Sequence, residues 1–126
     1  MSEERRDFPR VETEHSVEVV DTDGGVFPTL ALDLSLTGMQ LLCDEPTASR
    51  LLPEGPPDAD APKSVEIRLR LRLQDGTRAK IRANALLVSL RKSGPDDQRI
   101  GVKFTNFLGD GYHALESFID ESLPDD

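Results

Sequence analysis

Ser64-Val65-Glu66-Ile67-Arg68-Leu69-Arg70-Leu71-Arg72-Leu73 alternates apolar and polar residues without a break after Ser64. A period of two marks a strand with one face buried and the other wet. Gln74-Asp75-Gly76 follows, and then Arg78, Lys80 and Arg82 alternate with Ala79, Ile81 and Ala83. A two-residue turn at Asp75-Gly76 sets Leu73 opposite Arg78 and drives charge onto the apolar face. A three-residue loop, Gln74-Asp75-Gly76, instead pairs Leu71 with Ala79 and Leu69 with Ile81. It also puts glycine at the left-handed position that such loops favour, so it is the expected connection. The same register opposes Arg72 to Arg78, Arg70 to Lys80 and Arg68 to Arg82 on the outer face, where like charges repel. Neighbouring acids can relieve that repulsion; an acidic partner meeting the face is the other reading.

Outward from this hairpin, His15 to Val20 and Val26 to Asp33 flank an Asp21-Thr22-Asp23-Gly24-Gly25 turn. Met39 to Leu42 reads as a short strand, Ala85 to Arg91 prolongs the basic hairpin, and Arg99 to Phe104 turns Ile100, Val102 and Phe104 inward. About six strands with turn signals between them predict a mainly β fold, a small antiparallel barrel whose closure removes exposed edges. Residues 44–63 hold five of the nine prolines and read as a mobile surface loop with one helical turn near Ala48 to Leu52. Asp110 is placed to cap a helix from Gly111 to Ser122. Leu108, Tyr112, Leu115 and Ile119 recur there at helical spacing, an apolar face to lay on the barrel.

The 126 residues suit one domain, divided into an arm, 1–12, and a barrel domain, 13–123. The net charge of −9 disfavours a general binder of DNA or RNA, which needs positive charge along the phosphate backbone. That charge is segregated: residues 1–62 carry 4 basic and 14 acidic residues, and residues 63–103 carry 11 basic and 4 acidic. No apolar run approaches the ~20 residues of a membrane-spanning helix. The start, Met-Ser-Glu-Glu-Arg-Arg-Asp, lacks the apolar stretch of a secretory signal. A cytoplasmic bacterial protein without membrane insertion is the expectation.

Catalysis finds little support. His15 and His113 are isolated, and Cys43, the only cysteine, ends an apolar strand where it behaves as a small hydrophobe. The acids lack metal-ligand spacing, and no phosphate-cradling glycine loop precedes a helix. No enzyme, no metal and no cofactor are expected.

Two short stretches carry the functional signal. One is Arg5-Arg6-Asp7-Phe8-Pro9-Arg10, and the other is Asp33-Leu34-Ser35-Leu36-Thr37-Gly38, between two predicted strands. Singly, the first is a solvated run of charge. The second is a turn in which Asp and Ser bond locally and Gly supplies a positive φ. In this order, one hairpin apart, they resemble the signature of the PilZ domain family, Arg-x-x-x-Arg followed by Asp/Asn-x-Ser-x-x-Gly. Arg6, Arg10, Asp33, Ser35 and Gly38 fill its five positions. A late Gly101-Val102-Lys103-Phe104 strand and a closing helix match as well.

The resemblance implies a six-stranded PilZ-type antiparallel barrel with a C-terminal helix, acting as a receptor for the bacterial second messenger cyclic di-GMP. Arginine pairs bidentately with phosphate or with guanine O6 and N7, and stacks on bases. Arg6 and Arg10 are thereby assigned to phosphate and the guanine acceptor edge, with Arg5 adding a contact. Asp33 accepts from guanine N1–H and N2–H, Ser35 bonds near the second ring edge or a phosphate, and Gly38 lets the backbone approach. One ligand and an intercalated pair both fit. The expected mechanism is an order–disorder switch: ligand bridges the arm to the Asp33–Gly38 turn and changes the surface shown to a protein effector. The alternatives are a PilZ-like adaptor that binds no nucleotide and a single-stranded RNA binder built on the basic hairpin. The latter is disfavoured by net charge and by the single tyrosine and absent tryptophan.

Overall fold

The computed structural model describes residues 11–122, with side chains from residue 15 onward. Six strands and two helices follow one another along the chain. They are β1 (Val11–Val20), β2 (Val26–Leu34), β3 (Gly38–Asp44), α1 (Glu45–Leu51), β4 (Lys63–Arg72), β5 (Arg78–Lys92), β6 (Asp97–Leu108) and α2 (Gly111–Ser122). The strands close into an antiparallel barrel in the ring order β1-β2-β3-β6-β5-β4.

The β4–β5 hairpin has the expected register, with Leu71 opposite Ala79 and Leu69 opposite Ile81. Its loop is closed by the Leu73 N–H on the Thr77 carbonyl at 2.8 Å, and Gly76 takes φ +88°. Ile67, Leu69, Leu71 and Ile81 face the core at 3% exposure or less. Burying side chains of this size stabilises by roughly 1.5–3 kcal/mol each, and this is the chief reason the register does not slip. The ring is completed by two ladders with no local signal. β1 meets β4 from Val17↔Leu69 to Val20↔Glu66, and β3 meets β6 from Gly38↔Lys103 to Asp44↔Asp97.

Several elements differ in extent from expectation. β1 begins at Val11, ahead of the expected start at His15. Ala85 to Arg91 is part of one 15-residue strand, kept on the barrel by irregularities at Asn84/Ala85 and Leu87/Ser89. Such bulges bend a long strand around a closed wall. In the proline-rich 44–63 segment, α1 starts earlier than the expected turn at Ala48. The Asp44 carboxylate accepts from the Thr47 N–H at 2.9 Å, and Pro46 stands at the helix start where its missing N–H costs nothing. α1 buries Ala48 and Leu51. Lys63 Nζ ties its end down, donating to the Leu51 carbonyl at 2.6 Å and to Asp21 Oδ2 at 3.0 Å.

α2 spans the predicted residues, and the Asp110 carbonyl accepts from the Ala114 N–H. Its buried face differs at Phe118 and Tyr112. Leu115 and Ile119 are buried as expected, Phe118 joins them, and Tyr112 is 41% exposed. Phe118 meets His15 edge-on, ring centroids 5.2 Å apart, while Tyr112 leans on Phe107. Glu121 Oε1 accepts from the Gln74 N–H at 2.8 Å, fastening the helix end to the hairpin loop. Among the described residues no helix is long and apolar enough to cross a membrane.

Candidate ligand-binding site

β2 ends at Leu34 and β3 begins at Gly38, so Asp33, Ser35 and Gly38 lie within one tight connection. β1 runs beside it. Val11 pairs with Leu34 and Glu12 with Asp33, so the chain leaves β1 toward its amino end alongside this turn. Arg5, Arg6 and Arg10 lie outside the described residues.

Each residue of the turn has a distinct task. Asp33 Oδ1 accepts from the Gln40 N–H at 2.9 Å. This bond sits where the β2–β3 ladder slips by one residue, between Ala31↔Leu41 and Asp33↔Gln40, and it fixes the direction of the carboxylate. Ser35 is 1% exposed. Its Oγ accepts from the N–H groups of Thr37 and Gly38, each at 3.2 Å, and lies 3.2 Å from the Gly38 carbonyl and 3.1 Å from Thr37 Oγ1. The Ser35 N–H closes the turn on the Gly38 carbonyl at 2.9 Å. These bonds hold the turn, as the local reading of its Asp and Ser predicts.

Gly38 departs from the expected positive φ. It is not among the glycines of positive φ, which are Gly24, Gly55, Gly76 and Gly109. Glycine is required for space, because a Cβ there would collide with the backbone carbonyl oxygen of Val102 on β6. The Phe104 N–H donating to the Thr37 carbonyl at 2.9 Å draws the same two segments together. Gly38 therefore lets the turn lie flat on β6.

Pairing carries the site across the barrel wall. Asp33 is beside Gln40, Gln40 beside Gly101, and Gly101 beside Ser89. Two residues either way along β6 stand Lys103, opposite Gly38, and Arg99, opposite Leu42; both are exposed. The result is a low floor at Gly101 with a carboxylate on one side and cations at its ends. Sequence reasoning missed Gln40, Arg99 and Lys103. The β2–β3 ladder sets Gln40 beside Asp33, and only the β3–β6 ladder brings Arg99 and Lys103 to the same wall.

Other titratable groups take no part. Burial, assisted by the carboxylates of Asp44 and Asp97, pushes the Cys43 thiol up to about 11, so it is neutral and a poor nucleophile at neutral pH. His15 packs on Phe118, and His113 lies exposed on α2, 3.8 Å from Glu116. Among the described residues no three His, Cys, Asp or Glu side chains gather to hold a metal.

Comparison with known proteins agrees with this geometry. The inhibitor of motility from Bacillus subtilis, MotI/DgrA, superposes with a TM-score of 0.66 at 13% identity over 88% of this chain and 47% of its own. The PilZ domain of YcgR from Escherichia coli, solved with c-di-GMP, gives 0.62 at 17% identity, covering 93% of this chain and 91% of that one. YcgR in complex with c-di-GMP gives 0.60 at 22% identity, covering 92% and 45%. The chain thus spans about half the length of MotI/DgrA and of the YcgR chain in that complex. No curated protein matches its sequence. The sequence model of the PilZ domain matches residues 4–121, nearly the whole chain, and by that match the chain belongs to the PilZ domain family.

Proposed function

We propose that this protein is a receptor for cyclic di-GMP, bound between the Arg-x-x-x-Arg stretch and the Asp33–Gly38 turn. One observation carries the reading. Because Val11 pairs with Leu34, the amino end of β1 lies beside the turn. Arg6, five residues from Val11, is within about 18 Å of it by chain length alone. A ligand about the size of a dinucleotide can therefore touch both signatures.

The parts suit the chemistry of this ligand. Arg6 and Arg10, with Arg5 beside them, supply planar donors for phosphate and for guanine O6 and N7. Asp33, oriented by the Gln40 N–H, accepts from the guanine N1–H and N2–H. Ser35 serves by holding the turn, and Gly38 by keeping it low on β6. Lys103 and Arg99 add positive charge where the ligand's phosphates need it. Solved c-di-GMP complexes of YcgR, which share this fold, are consistent with the assignment. On binding, the arm becomes fixed across the turn and the surface offered to a protein effector changes, a disorder-to-order switch.

Calorimetric titration with cyclic di-GMP and cyclic di-AMP tests the binding. Saturable heat with the guanine ligand and none with the adenine one is expected; no heat with either leaves an adaptor that works by protein contact alone. Amide exchange tests the switch separately. Residues 3–12 should slow at saturating ligand, and unchanged exchange removes the switch while leaving the receptor.

A further inference from the structure

The wall facing away from the Asp33 turn carries a second feature. In the ring order, β4 stands opposite β3 and β1 opposite β6. On the outer surface there, a groove of about 830 Å3 runs between Ser16, Glu18 and Pro28 on one side and the cations of the β4–β5 hairpin on the other. Those cations oppose one another in pairs, Arg68 with Arg82, Arg70 with Lys80 and Arg72 with Arg78. Among the described residues only the first pair meets a carboxylate, one acid shared between two cations. Glu66 Oε2 accepts from Arg68 Nε at 2.8 Å and from Arg82 Nε at 2.9 Å. Among the described residues no carboxylate pairs with Arg70, Lys80, Arg72 or Arg78.

We infer that this face docks an extended acidic segment of a protein partner. Outward side chains two apart on a strand are separated by roughly 6.6 Å, and neighbouring strands by about 4.8 Å. Carboxylates at alternate positions of an extended peptide repeat the same 6.6 Å spacing, so one such segment can meet Arg70 and Arg72, or Lys80 and Arg78, in step. Nucleic acid fits less well. Neither β4 nor β5 contains an aromatic residue on which a base could stack. A lipid surface fits less well too, since the exposed large apolar residues, Val26, Val88 and Tyr112, are outside this strip. The inference stands whether or not the Asp33 turn binds a nucleotide.

The test is fluorescence anisotropy at low salt with a fluorescein-labelled peptide of alternating glutamate and threonine. Oligothymidylate and phosphatidylglycerol vesicles serve as competing probes. Arg70→Glu places a carboxylate opposite Lys80, so this variant should unfold at a higher temperature than wild type while binding the peptide about tenfold more weakly. Arg50→Glu, on α1, should bind as wild type does. Equal affinity in Arg70→Glu and wild type overturns the docking face, as does no peptide binding by the wild type. Stronger binding to oligothymidylate or to vesicles overturns the choice of an acidic protein segment.

Discussion

The backbone N–H of Gln40 donates to Oδ1 of Asp33 at 2.9 Å, across the one-residue slip in the β2–β3 ladder. An acid at the mouth of a turn is ordinarily free to swing. This one is held by main chain, which is what a selective acceptor of guanine's N1–H and N2–H requires.

Asp33→Ala should therefore lose both tasks. Its stability is expected to fall by about 1 kcal/mol, the usual net worth of such a hydrogen bond. Cyclic di-GMP affinity should fall at least about tenfold, with guanine no longer preferred over adenine. Asp33→Asn keeps an acceptor for the Gln40 N–H and should unfold as wild type does. Denaturant melts paired with calorimetry separate the two effects, and an Asp33→Ala protein that still rejects cyclic di-AMP would count against the guanine assignment.

Ser35 and Arg10 belong to the same signature but should fail differently. Ser35→Ala leaves the buried Gly38 N–H and the part-buried Thr37 N–H without their acceptor, costing about 1–3 kcal/mol in a urea melt. Arg10→Ala should abolish detectable cyclic di-GMP binding while the melt is unmoved. Wild-type affinity in Arg10→Ala contradicts the proposed site.

Gly38→Ala puts a methyl group against the Val102 carbonyl, and backbone there can yield only by opening the β3–β6 ladder. A loss of about 1–3 kcal/mol is expected, typical of overpacking. Gly76→Ala, with open space around its Cβ but a φ of +88°, makes the comparison: strain without collision. Equal stability of Gly38→Ala and wild type would mean that the close approach is relaxed in solution.

Lys103→Glu reverses a charge beside the Gly101 floor. Cyclic di-GMP affinity should drop about tenfold at low salt, with the gap from wild type narrowing as salt rises. A gap that does not change with salt would remove Lys103 from the site.

His15 gives the fold a pH dependence. Burial against Phe118 lowers its pKa below the ordinary 6.5, so the folded protein holds it neutral. The unfolded chain takes up that proton first as pH falls. The stabilising contribution is thus complete above about pH 6.5 and lost as pH drops through the lowered folded value. Glu66, held below its ordinary 4.5 by Arg82 and then Arg68, acts only in a more acidic window. Thermal midpoints recorded between about pH 7.5 and 5.5 should fall less in His15→Gln than in wild type. Parallel profiles would exclude His15 as the source.

The amino-acid sequence alone was enough for what depends on neighbours in the chain. Alternation from Val65 to Leu73, with a glycine able to take positive φ at Gly76, set the hairpin register, because a one-residue slip exchanges buried and wet faces. Helical spacing marked α2, and the paired motifs marked the turn that carries Asp33. The tertiary structure alone decided what long-range pairing brings together. No local pattern says that β3 must lie on β6, yet this ladder gives Gly38 its reason for being glycine and sets Gly101 beside Gln40 and Lys103 opposite Gly38. It likewise buried Ser35 and turned its hydroxyl inward on its own loop, since a polar group removed from water must find partners where it stands.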